Sequence, residues 1–305
     1  MDALTAALSD IQFEGWFFCE SRLTAPWGIA LPGGRLAAVH AILDGRCWIE
    51  LADGGPAQSL ESGDVAFLPL DTPHTLSSDA GVRSIPAREL PDIDRSDRQL
   101  VRLDYGGSGA LTCLITASFK TADFLPGIAL SGAAPLVVLP ASDHKKLASL
   151  VELCRAEYHA ERLGRSAVLR RLSEILFVTA VQAIAERSSD KVGWLSAIND
   201  PKLRRALVVI HSHPGDPWSL DRLAEEAGMS RSSFAEAFHR LIGETPMAYV
   251  TKVRLDRAAN HLRTSTRSIS NIARDCGYTS IPSFTRAFIK AKEMPPTRYR
   301  MASKN

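Results

Sequence analysis

The hydrophobic pattern changes period near the middle of the chain. Between residues 13 and 139, short apolar or alternating runs (16–19, 37–43, 47–51, 65–68, 110–119 and 136–139) are cut by Pro32-Gly33-Gly34, Asp53-Gly54-Gly55-Pro56, Ser62-Gly63-Asp64 and Gly106-Gly107-Ser108-Gly109. Many short strands divided by glycine-rich turns predict a β-sandwich or small barrel. Residues 77–98 interrupt this rhythm with mixed charges and prolines and read as a long, mobile loop. From residue 143 the period lengthens to that of a helix. Leu147, Leu150, Val151, Cys154 and Tyr158 line one face over 143–160; Val168, Leu172, Ile175, Leu176, Thr179 and Ile184 mark a second segment over 165–186, with Gly164 at the turn. Such an antiparallel hairpin cannot bury both faces alone, so it is expected to pack on the sheets, on a second copy of itself, or on both. A polar linker over 187–191 follows. The fold class is α+β, multidomain, with domains at 1–140, 141–198 and 199–305.

In the last of these, one pattern is written twice. Leu223-Ala224, Gly228, Phe234, Ala237-Phe238, Pro246 and Tyr249 return as Ile272-Ala273, Gly277, Phe284, Ala287-Phe288, Pro296 and Tyr299. The offset is 49 residues up to the glycine and 50 after it. Each copy is an amphipathic helix, a tight turn needing a left-handed residue, and a second helix with two phenylalanines four apart on its buried face, which is the helix-turn-helix arrangement. A 17-residue helix from Pro246, about 25 Å long, is expected to join the copies. His211 and His213 flank one serine ahead of a proline and are read as a solvated helix terminus, not a metal site.

Charge then suggests a partner. Residues 199–305 carry 18 Lys+Arg against 10 Asp+Glu, a net +8; the rest of the chain carries −6, and together they give the +2 of the whole. A basic C-terminal third on an acidic body is the footprint of a phosphate-binding module. No run approaches 18 apolar residues, and Met1-Asp2-Ala3-Leu4 has no basic region, so neither membrane span nor secretion signal is expected. Five cysteines without a framework point to reduced thiols in a cytoplasm.

The duplicated unit resembles the AraC/XylS family of bacterial transcription regulators. The residues that carry the likeness are Leu223-Ala224 to Gly228-Met229-Ser230, Phe234 to Phe238, Gly243-Glu244-Thr245-Pro246, Arg254-Leu255, Ile272-Ala273 to Gly277-Tyr278, Phe284-Thr285-Arg286-Ala287-Phe288 and Pro296 to Tyr299-Arg300. Lys292-Glu293 departs from it, standing where an aromatic residue and a glycine are frequent. The resemblance implies double-stranded DNA as partner. It puts Ser232, Ala235, Glu236 and His239 of the first recognition helix, and Ile281, Pro282, Thr285 and Arg286 of the second, at base-facing positions. Arg286 suits a guanine edge and Glu236 a cytosine amine, whereas Ala235 and Ile281 offer only apolar contact to a thymine methyl. Arg231, Arg240, Lys252, Arg257 and Lys290 suit phosphates, or are simply solvated basic residues.

The N-terminal region resembles a cupin. Gly34, His40, Ile42, Cys47 and Gly54 follow the spacing of the first cupin motif, with Ile42 and Cys47 in place of a histidine and a glutamate; Gly63, Pro69 and His74 follow the second, with Asp71 in place of a glycine. The likeness implies a cupin-like β-barrel of the kind found at the N-terminus of one branch of AraC-type regulators. If the strands pair as in a cupin, His40, Cys47 and His74 converge at the barrel mouth, Cys113 is a fourth ligand, and two imidazoles with two thiolates favour Zn2+. The alternative makes Cys47 and Cys113 small core residues and leaves His74 on a loop, satisfied by backbone. The reading that follows is a transcription regulator, not an enzyme, controlled by a metal or an unidentified small-molecule effector, with a homodimer through the hairpin and RNA polymerase as further partners. A metal-dependent cupin enzyme fused to a DNA-binding module is the competing class; Ile42, which removes a ligand, and Cys47, which replaces a carboxylate, weigh against it, and no carboxylate-histidine pair is evident for acid/base work.

Overall fold

The computed structural model describes residues 4–5, 13–33, 37–69, 72–90, 93–94, 100–121, 134–160, 162–187 and 193–302. Gly34 and Asp71 of the cupin spacing and the linker residues 188–192 lie outside them. The chain forms two compact units, one of Phe13–Ala122 with Ala134–Arg187, the other built on Ser188–Asn305.

The first unit contains two sheets. β1 (Phe13–Thr24), β3 (Ala37–Asp44), β6 (Val65–Leu68), β9 (Ile93–Asp94), β10 (Leu100–Gly106), β11 (Leu111–Thr121) and β12 (Val137–Leu139) make one, in the order β12-β6-β3-β11-β1-β10-β9. β2 (Gly28–Leu31), β4 (Arg46–Leu51), β5 (Gln58–Glu61), β7 (His74–Ser77) and β8 (Ile85–Pro86) make the other, in the order β5-β4-β7-β2-β8. Among the described residues strand pairing stays within each sheet, so the cupin-like region is a sandwich and not a closed ring. Its interior holds Leu23, Ile42, Leu68, Val101 and Leu114 from the larger sheet and Ile29, Cys47, Ile49 and Leu76 from the smaller. Because successive strand residues point to opposite faces, Phe18, Glu20 and Phe67 project from the other side of the larger sheet. There they meet a helical hairpin of α1 (Lys145–His159) and α2 (Arg165–Arg187): Phe67 packs on Phe177 and Phe18 on Tyr158, with ring centroids 5.6 and 5.9 Å apart, and the Glu20 carboxylate lies 3.1 Å from His159 Nε2. The hairpin therefore belongs to the same unit as the sheets, and the expected boundary at 198 falls instead at 187.

The stretch read as a mobile loop is partly built in. β8, a single 3-10 turn (Ala87–Glu89) and β9 fall within it, and Ala87 and Leu90 pack on the sandwich core. Isolated apolar residues among charges carry no periodicity, so the sequence pattern is silent there.

The second unit is helical: α3 (Trp194–Asn199), α4 (Pro201–Ser212), α5 (Leu220–Ala227), α6 (Arg231–Ile242), α7 (Pro246–Thr264), α8 (Ile269–Asp275), α9 (Ile281–Lys292) and α10 (Pro296–Ala302). His211 is a correction to the sequence reading. It is 4% exposed inside α4, edge-on to Trp194 and Tyr249, with Nε2 2.8 Å from the Tyr249 hydroxyl. Burial, and then the charge of Arg257, hold its pKa down at about 3.

Candidate functional site

Both helix-turn-helix units are built by the same local chemistry. Ser219 and Ser268 cap the first helices by accepting from the amides of Arg222 and Asn271. Each of these helices ends in a left-handed glycine, Gly228 at φ 64° and Gly277 at φ 82°. The amide of the residue after the glycine returns to the carbonyl five back, Met229 to Ala224 and Tyr278 to Ala273, both at 2.9 Å. Ser230 and Ser280 then cap α6 and α9. The residue that lengthens the offset from 49 to 50 is thus in the second turn, between Tyr278 and Ser280, and both recognition helices keep the same register against their cores. Phe234 packs at a tilt against Phe238 and Phe238 edge-on against Tyr249; fifty residues on, Phe284, Phe288 and Tyr299 repeat the arrangement, with centroid distances between 5.3 and 5.5 Å.

With those aromatics inward, the opposite faces of α6 and α9 are open. Arg231, Ser232, Glu236, His239 and Arg240 on α6, and Ile281, Pro282, Arg286 and Lys290 on α9, are exposed; Ala235 and Thr285 are half-buried at the edge of the face. All eleven expected contact positions therefore lie on accessible helix surface. Arg240, Arg286 and Lys290 make no ion pair among the described residues, whereas Arg231 approaches Asp221 at 3.6 Å with both side chains in solvent. Lys252 is different: its half-buried ammonium sits 2.9 Å from Glu244, an attachment that makes it a poorer phosphate ligand than the sequence suggests.

The joint between the units was not legible in advance. Arg254 of α7 donates from Nε to the Pro214 carbonyl at 2.7 Å and from Nη2 to the Asp216 carbonyl at 2.6 Å. A Cβ on Gly277 would come within 2.7 Å of the Gly215 carbonyl oxygen and 3.0 Å of the Arg254 guanidinium. Lys292 at the end of α9 bonds Asp256 of α7 at 2.8 Å, with the carboxylate buried and the ammonium largely covered. α7, 19 residues and about 28 Å long, is consequently fastened both to the loop ahead of the first unit and to the second recognition helix.

The four residues expected to bind zinc are not brought together. His40 and His74 do meet, from opposite sheets, with Nε2 atoms 2.8 Å apart, but in the interior at 1% and 2% exposure and not at a mouth. Cys47 faces the same interior from β4, four residues along the strand from Leu51, the neighbour of His74, which places it about 13 Å away. Cys113 is three residues from Thr116, the neighbour of His40, and so points to the opposite face, beside Arg22 and Asp44. Among the described residues no three His, Cys, Asp or Glu side chains gather as a metal-binding group. Burial pushes the Cys47 thiol up to about 12 and raises Cys113 as well, leaving both protonated.

What the imidazoles form is a relay. His74 Nδ1 lies 2.7 Å from the Thr72 carbonyl, which only accepts, so Nδ1 carries the proton and Nε2 a lone pair. His40 therefore donates from Nε2, and its Nδ1 accepts from the Thr116 hydroxyl at 2.9 Å. Every ring nitrogen is satisfied with both rings neutral, and burial depresses both pKa values, His40 well below its usual range. Backbone satisfaction of His74 is what the alternative to a metal site anticipated, although His74 begins a strand.

Two exposed recognition helices on one helical unit, in a chain that also carries a β-sandwich unit, define a DNA-binding protein. Comparison with known proteins agrees: the family described as cupin matches residues 2–186, and a helix-turn-helix domain matches residues 223–302. The chain is 30% identical over 311 residues to the HTH-type transcriptional regulator AlkR of Acinetobacter baylyi, spanning 99% of this chain and 100% of that protein. It is 26% identical to the RCS-specific HTH-type transcriptional activator RclR of Escherichia coli K12, over 98% and 97% of the two. Among solved structures, an AraC-type transcriptional regulator from Chromobacterium violaceum shares 28% identity over 34% of this chain and 94% of its own, with a TM-score of 0.33. The protein belongs to the AraC-type transcription regulators with an N-terminal cupin domain.

Proposed function

We propose that this regulator reads two successive major grooves with α6 and α9, is controlled by a small-molecule effector held in its N-terminal sandwich, works as a homodimer, and acts on transcription through RNA polymerase. The observation that carries the reading is the pair of equivalent exposed faces, each backed by the same buried aromatic trio and joined through α7. The two faces differ chemically: Glu236 and His239 on one, Arg286 beside Ile281 on the other, so the two half-sites should differ in sequence. Dimerisation is supported by apolar side chains left on the hairpin: Leu153, Val168 and Ile175 are 54%, 43% and 48% exposed, and Val168 and Ile175 lie two turns apart on one face of α2. Zinc is not carried into this reading, because two hydrogen-bonded imidazoles offer one ion two ligands where protein zinc sites use three or four.

The experiment is a footprint on the regulator's own upstream region with purified protein. Two protected segments about one helical turn apart, on one face of the duplex, are expected; uniform protection at all sequences would overturn sequence-specific reading. Sedimentation at micromolar concentration is expected to give a dimer that Val168→Glu with Ile175→Glu converts to monomer. Metal analysis of protein purified without chelator is expected to give well under one zinc per chain, and a stoichiometric zinc would reinstate the metal site.

A further inference from the structure

The sandwich interior contains a cavity of about 90 Å³ that the DNA-binding activity does not use. It lies between β1, β10 and β11 of the larger sheet and β2 and β7 of the smaller, bordered by Ala87 and Leu90. Its wall is apolar except at Cys19, Ser21 and Thr116. These three belong to one polar edge: Cys19 and Thr116 are cross-strand partners, and the Cys19 thiol lies 3.5 Å from the Ser21 hydroxyl. Among the described residues no charged side chain lines the cavity, and the Cys19 thiol, pushed up to about 11 mainly by burial, is not a thiolate.

We infer that this cavity is the effector site and that it takes a compact, uncharged, mostly apolar molecule bearing a single hydroxyl group; the inference rests on the effector reading proposed above. Size sets the first limit, since a cavity of about 150 Å³ takes benzene, a molecule of six heavy atoms, and this one is smaller, which restricts the occupant to about five heavy atoms. Charge sets the second. An ionised ligand would be stripped of water with no counter-charge from the described residues of the wall, a penalty that opposes binding. The relay sets the third. Thr116 gives its only proton to His40 Nδ1, so its free lone pairs receive a donor from the cavity. A hydroxyl bound there would extend an unbroken hydrogen-bonded line through Thr116, His40 and His74 to the Thr72 carbonyl, from one sheet to the other. Occupancy at one sheet would thereby be felt at the other.

The test uses the full-length protein and four probes matched in size: 1-butanol, butanone, pentane and propanoate. Calorimetric titration and thermal melting are expected to rank 1-butanol first, with propanoate without effect. Thr116→Val should weaken 1-butanol about three- to tenfold and leave pentane unchanged. Ala87→Leu, which projects into the cavity from its border, should abolish binding of all the probes while DNA binding by the ligand-free protein persists. Tighter binding of the carboxylate, or equal binding of pentane and 1-butanol, would overturn the ligand class and leave effector control standing. No binding by any probe, together with DNA affinity unaltered in every case, would overturn both.

Discussion

Arg286 carries the sharpest expectation for DNA. It is exposed on α9 on the side away from Phe284 and Phe288, and its planar fork suits guanine. Arg286→Ala is expected to cost about 1–3 kcal/mol on the specific site and to relax preference at one base pair, whereas Lys290→Ala should weaken all sequences alike. Equal losses on specific and random duplex for the arginine variant would assign it to the backbone instead. Glu293 carries an expectation for stability. It occupies a left-handed conformation, φ 57°, at the position equivalent to Gly243, φ 80°, where a side chain costs about 1 kcal/mol or more. Glu293→Gly is therefore expected to raise the unfolding midpoint of the helical unit in urea. His211 gives a pH dependence. Its folded pKa of about 3 lies below the ordinary 6.5, so the unfolded chain binds the extra proton; its contribution is complete above pH 6.5 and is lost as the pH falls towards 3. At pH 5 the loss is about 2 kcal/mol. Melts at pH 7.5 and 5 should show that difference shrinking in His211→Gln, and an unchanged difference would exclude this residue as its source.

At the scale of elements, what could be read from sequence was what is local. Serine caps, left-handed glycines and phenylalanines four apart each act within one or two turns, and they located both helix-turn-helix units. The candidate zinc ligands failed for the complementary reason. Whether Cys113 shares a face with His40 depends on its distance in residues from Thr116, and whether Cys47 reaches His74 depends on the β4–β7 register; neither is visible without the pairing. Thr116 itself was findable once β11 was placed beside β3, because it is the cross-strand neighbour of His40. His211 was misread because its burial is made by Trp194 and Tyr249, the latter 38 residues away. The Asp256–Lys292 pair belongs to the same category: removing one partner by Asp256→Ala leaves a buried ammonium and should cost about 3–5 kcal/mol, detectable as loss of α9 packing.

For the whole molecule, the helical unit has its apolar faces paired internally, Trp194 included, so residues 188–305 alone are expected to fold and to bind duplex DNA, with affinity falling steeply as salt displaces phosphate contacts. Failure of that fragment to fold would mean that the first unit completes its core. The fastening of α7 has a consequence for the geometry of any operator. Arg254 and the Gly215–Gly277 approach make the two reading heads a caliper of fixed opening, so spacing on the DNA must conform to the protein. Five inserted base pairs between half-sites turn the second one to the far side of the duplex. Ten restore its angle but carry it about 34 Å further along, beyond a caliper that does not open. Two heads on a loose tether would recover binding at that insertion; this regulator is expected not to, and recovered affinity for a duplex with ten inserted base pairs would show that the caliper opens.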